Sequence, residues 1–377
     1  MEHALCQRAW LTLLRTPGMG ARHLRQLVRD AGGDIELALE QARHGRWPGL
    51  DDRARGWLRA PDAKRVASDL DWLAQPRHRL LCFTDADYPP QLEQAPHAPA
   101  AMYAVGNTQL LLRPQLAVVG ARSASPAGRT NAGAFARALS RRGVVITSGL
   151  AEGIDAAAHE AALAEGGGTI AVVGTGPDRV YPRRNRVLSA AIAEQGLVVS
   201  EFAPGTGARA QHFPRRNRII SGLTLGTLVV EAGVRSGSLI TARLAGDYGR
   251  EVYALPGSIH NPLARGCHRL IREGARLVET VDEILQSLVP LARAQGHELA
   301  ARLAADAGVD SPSPTSQIME DPQSRRLLDA LGHDVATLDE LHERSGLEPA
   351  ELSSMLLMLE LEGRVAGVAG GRYQRLD

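Results

Sequence analysis

Lysine is almost missing from this chain: Lys64 stands alone among 43 basic side chains, and the rest are arginine. The chain is rich in Ala and Gly, so genome composition explains the arginine count as well as selection does. Only the positions of the arginines carry information. Cysteine is scarce too. Cys6, Cys82 and Cys267 are far apart and odd in number, which argues against a disulfide framework or a zinc site and for a reducing compartment. Aromatics make up 4% of the residues, with four phenylalanines. No stretch reaches the roughly 18 uninterrupted apolar residues of a membrane span. The opening "MEHALCQRAWLTLLRTPG" has no basic start and no long apolar run, unlike a signal peptide. A cytoplasmic protein with no membrane partner is expected.

Acid is locally absent. Net charge is only +1 over 377 residues, which by itself predicts no polyanion partner. The distribution predicts otherwise. Gln94 to Ala151 contains no Asp or Glu but holds Arg113, Arg122, Arg129, Arg137, Arg141 and Arg142. Phe202 to Val230 is again free of acid and holds Arg209, Arg215, Arg216 and Arg218. Segregated charge of this kind builds a basic face on a neutral protein.

Residues 1–75 carry apolar residues at helical spacing, broken at "TPGMGA" and "DAGGD", and read as a helical domain. Residues 76–112 read as a connector with short strands around Leu80–Phe83 and Met102–Val105. Then "LAVVGA", "VVITSG", "TIAVVG", "LVVSE", "TLVVEA", "EVYALP" and "ARLV" alternate with Ala/Leu-rich helical segments. Such runs are strands buried on both faces of a parallel, doubly wound sheet. The fold class is therefore α/β, with the sheet domain spanning 76–290. Ligands on these sheets bind at the carboxyl ends of the strands, near the topological switch point. Residues 291–320 read as a helix tail and a Pro/Ser linker. Residues 321–377 read as three helices and a two-strand wing, the order of a winged helix.

Four stretches carry candidate chemistry. In "VVGARSAS", Gly120 permits close backbone approach, and Arg122, Ser123 and Ser125 offer donors at a coming helix N-terminus. It is neither a dinucleotide fingerprint nor a P-loop, and no cofactor or metal is expected. A bare turn carrying an arginine is the alternative. In "TSGLAEGIDAAAH", Ser148 and Gly149 close a strand, while Asp155 and His159 share a helix face; a capping carboxylate with a packed histidine is preferred there over a catalytic pair. In "VVEAGVRSGS", Ser236, Gly237 and Ser238 open a helix, which suits either capping or a phosphate. The fourth is a repeat: "YPRRNRVLS" at Tyr181–Ser189 and "FPRRNRIIS" at Phe213–Ser221. The first copy has Asp178 nearby and reads as a helix start on the rim. The second follows a glycine loop with Arg209, and no acid is expected anywhere near it. Basic residues around Phe213 read equally as a stacking platform beside a phosphate track or as a core aromatic anchoring the loop.

These motifs, with "REVYALPGSI", resemble in order and spacing the DprA/Smf family of bacterial DNA-processing proteins, over about Tyr88 to Leu285. The resemblance implies an extended Rossmann-like fold, a SAM-like N-terminal domain and a C-terminal winged helix. It implies a homodimer that binds single-stranded DNA, protects incoming strands in natural transformation and helps load the RecA recombinase, with no catalytic reaction. Carried over position by position, the family's pocket arginine falls on Arg122, its strand-end pair on Ser148 and Gly149, its base-contacting aromatic on Phe213, and its basic run on Arg215, Arg216, Asn217 and Arg218. Ala210 stands where some members have a basic residue, so Arg209 would substitute. On this reading the second copy is the DNA site and the first its rim.

The competing reading is an enzyme, a nucleoside-monophosphate phosphoribohydrolase of the lysine-decarboxylase-like fold. Such an enzyme needs a carboxylate just after its phosphate loop, and "SGSLITARLAG" has none before Asp247. The expected recognition helix of the winged unit, "EPAELSSMLLMLELEG", has acids and no arginine. That unit is expected mainly to bind protein or to pack on the chain, with Arg364, Arg372 and Arg375 of the wing as its only basic surface.

Overall fold

The structure, a computed structural model, describes residues 2–45, 50–306, 322–332, 335–347, 365–368 and 372–375, with the single positions 352, 356 and 359. The chain divides into two compact units, 1–308 and 309–377.

The first unit opens with α1 (Glu2–Leu14), α2 (Ala21–Asp30), α3 (Ile35–Arg43), α4 (Asp52–Arg59) and α5 (Ala63–Leu73). Aspartates start the last three. Asp34, Asp51 and Asp62 each accept backbone N–H groups of the first turn, which satisfies donors that a helix start leaves open. Leu11, Leu13, Leu24, Leu27 and Val28 are buried. They belong to one apolar cluster with Tyr103, Val199 and Ile220 of the sheet region. The helices therefore share a core with the sheet across position 75.

That sheet has nine strands in the order β1-β2-β6-β5-β4-β3-β7-β8-β9. β1 (His78–Cys82) and β2 (Ala101–Gly106) flank the helix α6 (Pro90–Gln94) and lie antiparallel at one edge. The others are β3 (Gln115–Val119), β4 (Val145–Ser148), β5 (Thr169–Val172), β6 (Leu197–Ser200), β7 (Gly226–Val229), β8 (Glu251–Ala254) and β9 (Arg276–Leu277), all parallel. β3 to β7 are buried along their whole length, as continuous apolar runs require. The chain winds outward from β3 to β6, then returns to place β7 on the other side of β3. The switch point lies between β3 and β7.

The crossovers are α7 (Pro126–Arg141), α8 (Ile154–Ala164), α9 (Arg186–Gln195), α10 (His212–Leu223), α11 (Ser238–Asp247) and α12 (Arg265–Arg272). On one face Phe135, Ala158, Val118 and Leu228 pack with Ile284 and Leu288 of α13 (Val281–Asp306). On the other, α11 and α12 pack on Val119 and Val229. α13 contains Pro290 inside one continuous helix, so position 291 falls within it. Among the described residues, no helix is long and apolar enough to cross a membrane.

The second unit contains α14 (Pro322–Leu331), β10 (Ala336–Thr337), α15 (Leu338–Ser345), β11 (Val365–Val368) and β12 (Arg372–Arg375). Thr337 and Glu340 form a capping box, and Gly346 ends α15 in the left-handed region, where glycine carries no Cβ penalty. β11 and β12 pair antiparallel as the expected wing, and β10 adds a third strand. Most of the expected recognition helix, and Arg364, lie outside the described residues.

One ion pair ties the helices to a loop of the sheet. The Arg15 guanidinium donates to both carboxylate oxygens of Asp69, with Nη2 at 2.7 Å from Oδ1, and to the Pro204 carbonyl at 3.3 Å. The Asp69 side chain is 1% exposed. Removing one partner of a buried pair costs roughly 3–5 kcal/mol. Arg15→Ala should lower stability by about 3 kcal/mol, at the low end because Arg15 is partly exposed. Denaturant unfolding followed by the fluorescence of buried Trp10 and Trp72 reads this. The double change Arg15→Met/Asp69→Leu should recover most of the loss.

Candidate functional site

The loops at the carboxyl ends of β3, β4 and β7 enclose a crevice of about 700 Å³. A side recess of about 180 Å³ opens at the end of β5, beneath Tyr181 and Phe213. Arg122, Ala151, Phe213 and Arg216 line both.

Arg216 forms the floor. It is 6% exposed, and burial lowers its pKa to about 10, against an attraction from Asp155. Among the described residues no carboxylate approaches within ion-pairing distance, and its Nε has no hydrogen-bond partner. Gly149 explains how the guanidinium fits. A Cβ there would stand 1.3 Å from Nη1. Gly149 thus makes room for the chain's own arginine. Asp155 turns to the backbone, accepting the Gly149 and Ala151 N–H groups at 3.1 and 3.3 Å. Burial raises its pKa, opposed by Arg216. His159 bonds instead to the Thr169 hydroxyl at 2.7 Å, and burial drives its pKa down to about 3. Asp155 thus braces the loop before α8 and leaves the helix start without a side-chain cap, and the two residues do not pair.

The twin motifs converge. Tyr181 and Phe213 stand with ring centroids 5.5 Å apart and planes tilted by 44°, and the Arg122 guanidinium lies 5.4 Å from the Phe213 ring centre. Tyr181 is 47% exposed. The first copy, expected as a rim, thus sets its aromatic ring against that of the second. The asparagines do matching work. Asn185 donates its amide to the Leu150 carbonyl at 2.9 Å, and Asn217 donates to the Gly237 carbonyl at 3.4 Å. Each copy latches one crevice loop. The arginines diverge, because α10 is helical from His212 whereas residues 183–185 form a 3₁₀ turn before α9. Arg216 turns inward, while its counterpart Arg184 is exposed and pairs with Glu152 at 3.6 Å.

The expectation that no acid lies near the second copy is corrected. Glu201, one residue before the acid-free window, pairs with Arg215 at 3.3 Å and bonds Arg218, which also donates to the His97 carbonyl. Arg215 additionally packs over Phe202 at 5.2 Å. The remaining candidates divide in the same way. Ser123, Ser236, Gly237 and Ser238 line the crevice, with the Ser236 and Ser238 hydroxyls 2.7 Å apart and bonded to one another. Ser148 is fully buried and donates to the Val118 carbonyl at 2.6 Å. Gly120 faces packing, since a Cβ would meet Ile154 at 2.5 Å and the Glu231 carbonyl at 2.8 Å. Arg209 and Ala210 are exposed on the loop before α10 and do not line the crevice. Asp247 is exposed at the far end of α11. Among the described residues, no cluster of His, Cys, Asp or Glu suits a metal.

The fit of Arg216 over Gly149 sets a test. Gly149→Ala should destabilise the protein by about 1–3 kcal/mol, as overpacking does. In an Arg216→Ala background the same change should cost far less, because the clashing atoms are gone. Urea unfolding of the four proteins in the cycle measures the coupling.

Known proteins are similar to this chain over the segment that holds the crevice. The model of DNA recombination-mediator protein A matches residues 79–289, and that of the DprA winged helix domain matches residues 311–371. Protein Smf of Escherichia coli is 45% identical over 315 residues, 83% of this chain and 81% of that protein. DNA processing protein DprA of Streptococcus pneumoniae is 48% identical over 201 residues, 53% of this chain and 71% of that protein. The X-ray structure of DNA processing protein A from Streptococcus pneumoniae superposes with a TM-score of 0.66 at 35% identity, covering 74% of this chain and 98% of that one. DNA processing protein A from Helicobacter pylori, solved for its single-stranded DNA binding mode, gives a TM-score of 0.52 at 28% identity, over 57% of this chain and 97% of that one. The expected α/β fold with a winged helix agrees with these matches. With the sheet and all its crevice loops inside the matched segment, the chain belongs to the DNA recombination-mediator protein A family.

Proposed function

We propose that the crevice binds single-stranded DNA, and that the protein is a recombination mediator which holds exposed single strands and loads RecA onto them during DNA uptake. The observation that carries this reading is the buried Arg216 guanidinium, without a carboxylate partner among the described residues, beneath an aromatic pair. A buried cation lacking its counter-ion is suited to an anion from outside. The rings beside it, Tyr181 exposed and Phe213 half-buried, are suited to unstacked bases. Phosphate groups meet Arg122 and Arg216, and Arg209, exposed on its loop outside the crevice, meets a strand that runs on past it. Arg215 and Arg218 contribute less, since Glu201 already neutralises them. Ser123, Ser236, Gly237 and Ser238 offer hydroxyls and N–H groups along the wall. Ser148, Gly120, Gly149 and Asn217 shape the loops. Backbone and π-face contacts read little sequence, so one site serves strands of any composition.

In this reading the helical region 1–75 supports the sheet region 76–290, residues 291–320 connect, and residues 321–377 contact protein. A homodimer and the RecA contact rest on the family resemblance.

Gel shifts with mixed-sequence single and double strands test the preference. The roles separate by salt. Arg122→Ala should weaken binding and flatten the log–log salt slope by about 0.7, the value for one phosphate contact on a single strand. Phe213→Ala and Tyr181→Ala should each cost about 1–3 kcal/mol with the slope unchanged, because stacking releases no counter-ions. A slope change with either aromatic, or none with Arg122, contradicts the assignment.

RecA loading needs its own measurement. On single strands coated with single-strand-binding protein, substoichiometric amounts of this protein should shorten the lag of RecA filament assembly severalfold. An unchanged lag would confine the protein to strand binding.

A further inference from the structure

Doubly wound sheets seat a ligand phosphate at the switch point, beside the head of the helix that follows the first strand. In this protein that place is taken. The Glu231 side chain, in a residue 8% exposed, reaches from the end of β7 to the head of α7. Its Oε2 accepts the Ser125 N–H at 2.9 Å. Its Oε1 accepts the Ser125 hydroxyl at 2.6 Å and the Asn261 amide at 3.4 Å. Ser125 Oγ in turn accepts the Gly128 N–H at 2.9 Å. A Cβ at Gly128 would stand 2.3 Å from Oε2, so the first turn of α7 is shaped around the carboxylate. No acid lies in that turn of the 16-residue helix.

Among the described residues, no arginine, lysine or histidine pairs with Glu231. A buried carboxylate without a cation is costly. Its donors are an amide N–H, a hydroxyl, a side-chain amide and the positive end of a long helix. That donor set is the one a phosphate would use. The Glu231 backbone adds a second tie, its carbonyl accepting the Ala121 N–H at 2.7 Å. Arg122 therefore projects from a loop held at both ends by one residue.

We infer that Glu231 determines specificity: its carboxylate is a built-in anion that closes the phosphate seat at the switch point and leaves a strand's phosphates to Arg122 and Arg216. This rests on the reading of the crevice as a strand site. A small phosphate compound finds its ordinary seat filled. A polymer, with several phosphates and bases to place, does not need it.

The test empties the seat. In E231A, inorganic phosphate should bind saturably, raising Tm by at least about 3 °C at tenfold its Kd. Potassium chloride at equal ionic strength serves as the control. The wild type, and E231Q with its seat still filled, should show a much smaller rise. A rise in E231A no larger than in the wild type overturns the proposal, as does an equal rise in E231Q. If E231A is unfolded in chloride, recovery of its native near-ultraviolet signal on refolding into phosphate carries the same meaning, and failure to recover there also overturns it. The phosphate titration contains no DNA, and the gel shift on the unaltered protein contains no variant. Either reading can therefore fail alone.

Discussion

Arg216 lies under the crevice with its guanidinium out of water, and the neighbouring loops take their shape from the room it needs. Withdrawing such a charge from solvent costs several kcal/mol even after relaxation. Gly149 clears the space, Asp155 supplies a field without a bond, and Phe213 and Tyr181 cover the recess beside it. The cost is met during folding, before any ligand arrives. A bound anion then completes an interaction that the fold leaves open, and little side-chain ordering remains to be done at the moment of binding.

The acids around the crevice decide which cations stay available. Each acid-free window ends on a glutamate that folds back onto the site region. Glu152 follows the first window and meets Arg184. Glu201 precedes the second and meets Arg215 and Arg218. Glu231 follows the second and meets Ser125. The exposed pair of Glu152 and Arg184 contributes little to stability, whereas the contact of Glu201 with Arg218 is largely buried. Their effect is on the local field, because they cancel charge on one flank and leave Arg122 and Arg216 to shape the centre.

Much of the fold was legible in the sequence, since strands buried on both faces leave continuous apolar runs with glycine loops after them. The parallel strands and the wing follow from that pattern. The site was legible in part. Arg122 and Phe213 stand out by motif, and the loops do meet. What linear reading missed has a common cause: it concerns which way a side chain turns. Arg184 and Arg216 occupy the same place in the twin motifs, yet one faces water and the other the interior, because the two helices begin at different points. Tyr181 looked peripheral because its motif is followed by an ordinary amphipathic helix, and only the sheet order sets it against Phe213. The aromatic of "YPRRN" and the glutamate of "VVEAG" were visible signals, but nothing in their spacing names their partners. Pro290 lies inside α13, although proline usually marks a boundary.

α13 carries one more implication. Its start packs on the face of the sheet lined by Val118 and Leu228, through Ile284 and Leu288. Near its end, Arg302 bonds Glu93 at 2.7 Å and Gln94 bonds Glu298 at 2.8 Å, closing contacts across more than 200 positions. A ribosome releases the helices and the antiparallel edge first, yet their last partners emerge only when α13 does. During synthesis the early region must wait with part of its surface uncovered, a condition that exposes nascent chains to misassembly. The helix that straps the finished unit is thus also the element that ends its most vulnerable interval.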